Sequence, residues 1–330
     1  MSDQREKIID VEGLCKWFPQ KRTLADIAAR KPKEYLRAVN EVSFHIFKGE
    51  NMGLVGESGC GKSTLAKSLI RVYEPTAGSI SLTGTDITHL KGEALRSMRP
   101  NIQMIFQDPY SSLNPRMSVY DIIAEVLKVH QIVPKSEVPA QVEKLLNMCG
   151  LSMDIAQRFP GEFSGGQRQR ISIARALALN PAFIIADEPV SALDVSIQAQ
   201  IINLLAELQR SLNLTVLFIS HDLGVVRHIT HRIMVMYLGS LVELGATQEI
   251  FEKPAHPYTK VLTMAAPKLD PTNRTRDYVI EGELPSPINT PSGCKFHPRC
   301  SFCKEKCKAE EPKLREVSPG RFCACHYPLI

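Results

Sequence analysis

Apolar and polar residues alternate from Lys7 to Phe18 and again from Ala38 to Phe47, the two-residue period of strands with one buried face. Between them, Gln20 to Tyr35 is basic and mildly helical and reads as a surface excursion. Continuous apolar runs at Ile102 to Phe106, Phe183 to Ala186 and Thr215 to Ile219 predict strands buried on both faces. Each run ends in polar residues: Gln107-Asp108-Pro109, Asp187-Glu188 and Ser220-His221-Asp222. Helical spacing predicts helices over Thr64 to Val72, from about Val119 to Cys149 with interruptions at Pro134 and Pro139, through Ile171, Ala174 and Leu177, and from about Ile197 to Ser211. The turn Pro75-Thr76-Ala77-Gly78 leads into a short strand, Ser79 to Leu82; a last apolar hairpin, Ile233 to Tyr237 and Leu241 to Leu244, turns at Gly239. Strands alternating with helices predict an α/β fold with a mostly parallel core sheet, beside which the early alternating strands form an antiparallel layer. Beyond Phe251 periodicity fades, and Pro254 to Pro328 is rich in Pro and Cys, as expected of an appended module.

Composition adds limits. With 330 residues, 44% hydrophobic and 23% charged, the chain has room for one large domain and a smaller appendage. No apolar run reaches the roughly 18 residues that cross a bilayer. Met1 to Lys7 carries acids and no apolar core, unlike a signal peptide, so the expectation is a cytoplasmic protein that meets a membrane only through partners. The net charge of +5 is spread out, with one local basic cluster between Lys21 and Lys33, and reads as a solvated face rather than a nucleic-acid surface. Six of the nine cysteines lie in the last 37 residues, which in a reducing compartment points to metal or iron–sulfur ligation before disulfides.

The chemistry is densest at Gly56-Glu57-Ser58-Gly59-Cys60-Gly61-Lys62-Ser63-Thr64, which fits G-x-x-x-x-G-K-[ST] between an apolar run (Met52, Leu54, Val55) and a helical pattern. Glycines let successive N–H groups turn toward phosphate oxygens, Lys62 adds a positive charge, and the Ser63 hydroxyl is placed for Mg²⁺. This pattern predicts a nucleotide-binding loop. Asp187, ending a buried strand, can hold Mg²⁺ through water; Glu188, directly after it, is the expected general base for the attacking water. Ser164-Gly165-Gly166, opening a helix, forms a second site for anions.

Taken in order, the phosphate loop, the Gln-ended strand, Ser164-Gly165-Gly166-Gln167, Asp187-Glu188, Ser191-Ala192-Leu193-Asp194 and the His-ended strand resemble the ATPase subunit of an ATP-binding cassette (ABC) transporter over roughly residues 7–250. His256-Pro257-Tyr258-Thr259, Gly282-Glu283-Leu284-Pro285-Ser286-Pro287 and the Cys-rich end are similar to the oligopeptide/dipeptide importer branch. The resemblance implies a cassette over 1–250 with a helical subdomain at about 108–180, and an extension over 251–330. It implies that Gln107 reaches Mg²⁺ and the attacking water, that His221 contacts the γ-phosphate, that Phe18 (Trp17 second) stacks on adenine, and that the Ser164–Gln167 segment closes over ATP held by a second cassette with Asp194 at the junction. The partners implied are a distinct second ATPase subunit, two transmembrane permease subunits and, indirectly, an extracytoplasmic binding protein, with this chain peripheral on the cytoplasmic face. Cargo could instead be a nickel complex, a sugar or an opine, and a soluble ABC ATPase is a further class.

Cys294, Cys300, Cys307 and Cys325 follow C-x5-C-x6-C-x17-C, with Cys303 and Cys323 as extras. Such spacing suits a metal that holds a coreless segment together. The resemblance implies a [4Fe–4S] cluster on those four; zinc, with His297 or His326, or free thiols are the alternatives.

Overall fold

The computed structural model describes residues 5–22, 28–30, 32–191, 193–265 and 285–330. Part of the basic excursion, Ala192 and Gly282-Glu283-Leu284 therefore lie outside the described residues. The chain forms two compact units interleaved in sequence: Met1–Ile9, Ile46–Asn51 and Leu82–Ile219 in the first, Asp10–His45, Met52–Ser81 and Ser220–Ile330 in the second.

In the first unit, strands Ile102–Ile105, Phe183–Asp187 and Thr215–Ile219 lie parallel in that order, in register Ile102 to Phe183 and Phe183 to Thr215. Every residue of Phe183–Asp187 is buried, as its unbroken apolar run requires. Helices Val119–Val129, Val138–Met148, Gly165–Leu177 and Val195–Leu212 accompany the strands. Val119, Ile122, Ile123 and Leu127 line the buried stripe of the first of these, and Ser118 caps it by accepting the Asp121 N–H at 3.1 Å. Pro139, expected to interrupt a helix, instead sits in the opening turn of Val138–Met148, where its missing N–H has no helical partner to lose. Asn213, at φ 50°, ends Val195–Leu212 in the left-handed conformation asparagine tolerates.

Lys7–Pro19, which belongs to the second unit from Asp10 on, lies between Tyr35–Phe47 and Ala77–Leu82. Met52 to Val55 runs parallel to Arg232–Tyr237, in register Met52 to Arg232. Arg232–Tyr237 returns as an antiparallel hairpin into Ser240–Ala246, turning at Leu238 and Gly239 (φ 40° and 80°). The aperiodic tail holds two strands that no periodicity in it predicts. Arg321–Cys323 pairs antiparallel with Ser240–Ala246 (Glu243 opposite Cys323), and Arg315–Ser318 pairs with Arg321–Cys323, so the extension adds two strands to the sheet. The join is polar inside: Glu243 is 0% exposed, holds Arg321 at 2.7 Å and accepts the Ala255 and His256 N–H groups at 2.9 and 2.8 Å. Among the described residues no helix is long and apolar enough to cross a membrane.

Candidate active site

The phosphate loop, Phe18 and His221 belong to the second unit; Gln107, Ser164 to Gln167, Asp187, Glu188 and Asp194 belong to the first. In the second, buried strand Asn51–Val55 delivers the chain into the loop, and the helix Lys62–Leu69 carries it away. Gly61, at φ 109°, is the residue before that helix, and a β-carbon there would collide with the Ala38 carbonyl. Lys62 is 6% exposed, and its ammonium donates to the carbonyls of Gly56 (2.8 Å) and Glu57 (3.1 Å), curling the loop around its own cation. Cys60 is buried beneath the loop, and burial pushes its thiol up. Ser58 and Gly59 sit at the exposed crest of the loop, with Ser63 and Thr64 in the first turn of the helix behind it.

The two aromatic residues proposed for the base differ in surroundings. Phe18 meets Tyr73 edge-on with ring centroids 5.3 Å apart, and Lys16 lies over its face at 5.0 Å. Trp17 has the Arg37 guanidinium over its ring at 5.3 Å and buries its indole N–H without a hydrogen-bond partner among the described residues. His221 is exposed just past strand Thr215–Ile219, where Asp222 caps the next helix by accepting the Gly224 and Val225 N–H groups.

In the first unit, neighbouring strand ends bring Gln107 and Glu188 together. Ile105 pairs with Ala186, so the residues two further along each strand emerge side by side, and Gln107 Nε2 donates to Glu188 Oε2 at 2.9 Å. Asp187 is buried, whereas Glu188 is half-buried with φ 46°, a left-handed conformation that non-glycine residues adopt at a cost, held here by its N–H donating to Ile219 O at 2.9 Å. Ser164 starts Gly165–Leu177 with a reciprocal cap: the Gln167 N–H donates to Ser164 Oγ (3.4 Å), and the Ser164 N–H to Gln167 Oε1 (3.1 Å). Both side chains are exposed. A β-carbon on Gly166 would strike Ile197, so the absence of a side chain lets this helix start pack closely on the segment that follows exposed Asp194.

The sequence-predicted cysteines separate cleanly. Cys294, Cys300, Cys307 and Cys325 line one cavity together with His256, His297, Phe302, His326 and Tyr327; Cys303 and Cys323 do not line it. Burial, then the nearness of the other cavity thiols, pushes Cys294 up to about 11, and Cys300 is likewise pushed up to about 11. Among the described residues no three His, Cys, Asp or Glu side chains converge closely enough to hold a single metal ion. Sequence reasoning did not find Phe302 and Tyr327 at this cavity, because lone aromatics in an aperiodic segment give no signal.

A glycine-rich phosphate loop ahead of a helix, and an Asp-Glu pair at the end of a buried parallel strand with a glutamine on its glutamate, define a P-loop nucleotide hydrolase. Comparison narrows the class: the family model described as ABC transporter matches residues 39–191, and the oligopeptide/dipeptide transporter C-terminal region matches residues 242–307. The oligopeptide transport ATP-binding protein AppF of Bacillus subtilis is 52% identical over 98% of both chains. The probable peptide ABC transporter ATP-binding protein y4tS of Sinorhizobium fredii is 52% identical over 97% of this chain and 90% of its own. Among solved structures, the ATP-binding cassette MJ0796, as a post-hydrolysis dimer bound to ADP and Pi, superposes with TM-score 0.63 at 28% identity over 72% of this chain and 98% of that one. This chain belongs to the ATP-binding proteins of the oligopeptide/dipeptide ABC transporter family.

Proposed function

We propose that the chain is the ATP-hydrolysing subunit of an importer for oligopeptides or dipeptides. The observation that carries this reading is the coexistence, in one chain, of a cassette match over 39–191 and the transporter C-terminal match over 242–307. In this reading residues 1–250 form the cassette, with the helical subdomain at about 108–180, and residues 251–330 the extension. The loop Gly56 to Thr64 receives the triphosphate on its main-chain N–H groups, and Lys62 exchanges the carbonyls of Gly56 and Glu57 for phosphate oxygens. Ser63, Gln107 and Asp187 are the residues that would hold Mg²⁺, which when bound would supply positive charge against the triphosphate. Glu188 orients the water and takes its proton, Gln107 fixes the carboxylate, and His221 faces the γ-phosphate. Phe18 offers its ring to adenine. Catalysis is positioning and charge stabilisation, without a covalent enzyme intermediate.

The exposed Ser164 cap of one cassette closes over ATP held by another, with Asp194 at the junction, so ATP draws two cassettes together and hydrolysis parts them. The second cassette is a related but distinct chain. Two transmembrane permease subunits dock near Pro109 to Pro115, placing the chain on the cytoplasmic face of the membrane, and a binding protein supplies cargo from outside. The test is the ATPase rate of the complex co-purified with its permease subunits. Binding protein loaded with a short peptide should raise that rate severalfold; stimulation by a nickel complex or an oligosaccharide, with peptides silent, would overturn the cargo assignment.

The cysteine cavity fits a [4Fe–4S] cluster on Cys294, Cys300, Cys307 and Cys325. Four cysteines lining one cavity support this reading, since such a cluster takes one thiolate on each of its four irons. His297 and His326 each direct a ring nitrogen at a backbone carbonyl, of Cys294 (3.0 Å) and Glu310 (2.9 Å). Thiols this hard to ionise become thiolates when a cation binds them. Anaerobically purified protein should be brown with a broad visible band that Cys294→Ser removes and Cys303→Ser spares. Stoichiometric zinc without iron would refute the cluster.

A further inference from the structure

The His256-Pro257-Tyr258-Thr259 motif and the cysteine-rich segment both reach the phosphate loop, and within the second unit they meet it at one residue, Glu57. Arg299 grips the Glu57 carboxylate with both prongs, Nη1 to Oε2 at 2.9 Å and Nη2 to Oε1 at 3.2 Å. The pair is largely shielded, with the Arg299 side chain 7% and the Glu57 side chain 22% exposed. On the main chain of the same residue, the Glu57 N–H donates to the Tyr258 hydroxyl at 2.9 Å.

Both grips come from packed, hydrogen-bonded supports. Arg299 ends the turn His297–Arg299, strung between two cavity cysteines: the His297 N–H donates to Cys294 O (2.9 Å) and the Cys300 N–H to His297 O (3.3 Å). Beneath it, Phe296 packs on Tyr237 and Tyr258 with ring centroids 5.3 and 5.4 Å apart. The Tyr237 hydroxyl lies beside the guanidinium without meeting hydrogen-bond geometry. Tyr258 is fully buried, and its N–H donates to His256 Nδ1 at 3.0 Å.

A two-pronged guanidinium–carboxylate pair fixes direction as well as distance. Removing one member of a shielded pair leaves the other as poorly compensated charge. Here the charge left behind would be a carboxylate in the second position of a loop whose task is to hold a polyanion, opposing Lys62. We propose that Arg299 and Tyr258 are positioning residues of the phosphate loop: Arg299 neutralises and aims the Glu57 side chain, Tyr258 holds its amide, and the segment beyond residue 250 thereby sets affinity for ATP.

The experiment titrates the full chain with a fluorescent ATP analogue, competes it with ATP, and pairs this with steady-state ATPase. Arg299→Ala should raise the ATP Kd on the order of tenfold, and Arg299→Lys, which keeps the charge but not the fork, about threefold. Tyr258→Phe, which deletes only the hydroxyl, should also raise it about threefold while the near-ultraviolet circular dichroism stays native. KM for ATP should follow Kd, with kcat at saturating ATP within about twofold of wild type. The decisive variant is the double one: adding Glu57→Gln to Arg299→Ala removes the stranded charge and should recover most of the lost affinity, which a merely structural arginine would not allow. Kd within about twofold of wild type in folded Arg299→Ala and Tyr258→Phe, or a double variant no better than Arg299→Ala, overturns the proposal. Should Arg299→Ala not fold, Arg299→Lys and Tyr258→Phe carry the test, and Kd within about twofold of wild type in both overturns it.

Discussion

Glu188→Gln should bind ATP as tightly as the wild type and turn it over on the order of 10³-fold more slowly. The substitution is nearly isosteric, and the new amide oxygen can still accept from Gln107 Nε2, now 2.9 Å from Glu188 Oε2. Geometry at the strand end is therefore kept while basicity is lost. The strained backbone supports the same reading: a glutamate held at φ 46° by its neighbours has been aimed, and aimed residues cluster where chemistry is done. Lys62→Ala is the counterpart, since it removes the cation at the loop's centre and should lose nucleotide affinity itself. Equilibrium nucleotide binding and steady-state ATPase on the two variants separate the roles. Turnover near the wild-type rate in Glu188→Gln would remove Glu188 as the base.

Much of this arrangement is legible in the sequence because its signals are local. Phe183 to Ala186 is an apolar run with nowhere to go but a core, and the carboxylates that end it must emerge at the sheet's edge. The phosphate loop is written in contiguous residues, and so is the capping pair Ser164 and Gln167, three residues apart. What escaped was non-local. Glu243, between Val242 and Leu244, gives no sign that it is wholly buried, because its partner Arg321 lies 78 residues away. Arg321–Cys323 is three residues long, too short for a period to register, and becomes a strand only by pairing with Ser240–Ala246. The Arg299 grip on Glu57 spans 242 residues and leaves no pattern in either segment. The cysteines are intermediate: the family resemblance, not spacing alone, singled out Cys294, Cys300, Cys307 and Cys325 from Cys303 and Cys323, while the cavity they line with Phe302 and Tyr327 needed the fold.

Pockets shared between two cassettes are central to the proposed cycle, and Ser164→Arg probes them most directly. Ser164 and Gln167 are exposed and cap each other, so a long cation at 164 gives up that one cap and obstructs whatever pocket it closes. The measurement is ATPase turnover per chain, across protein concentration, with the partner cassette present. Turnover should rise with concentration as cassettes pair. Ser164→Arg should halve it when one of the two chains carries the change and reduce it on the order of 10²-fold when the partner's matching serine is changed too, with ATP affinity unaltered. Turnover that is independent of concentration and indifferent to arginine at position 164 would contradict the shared pocket.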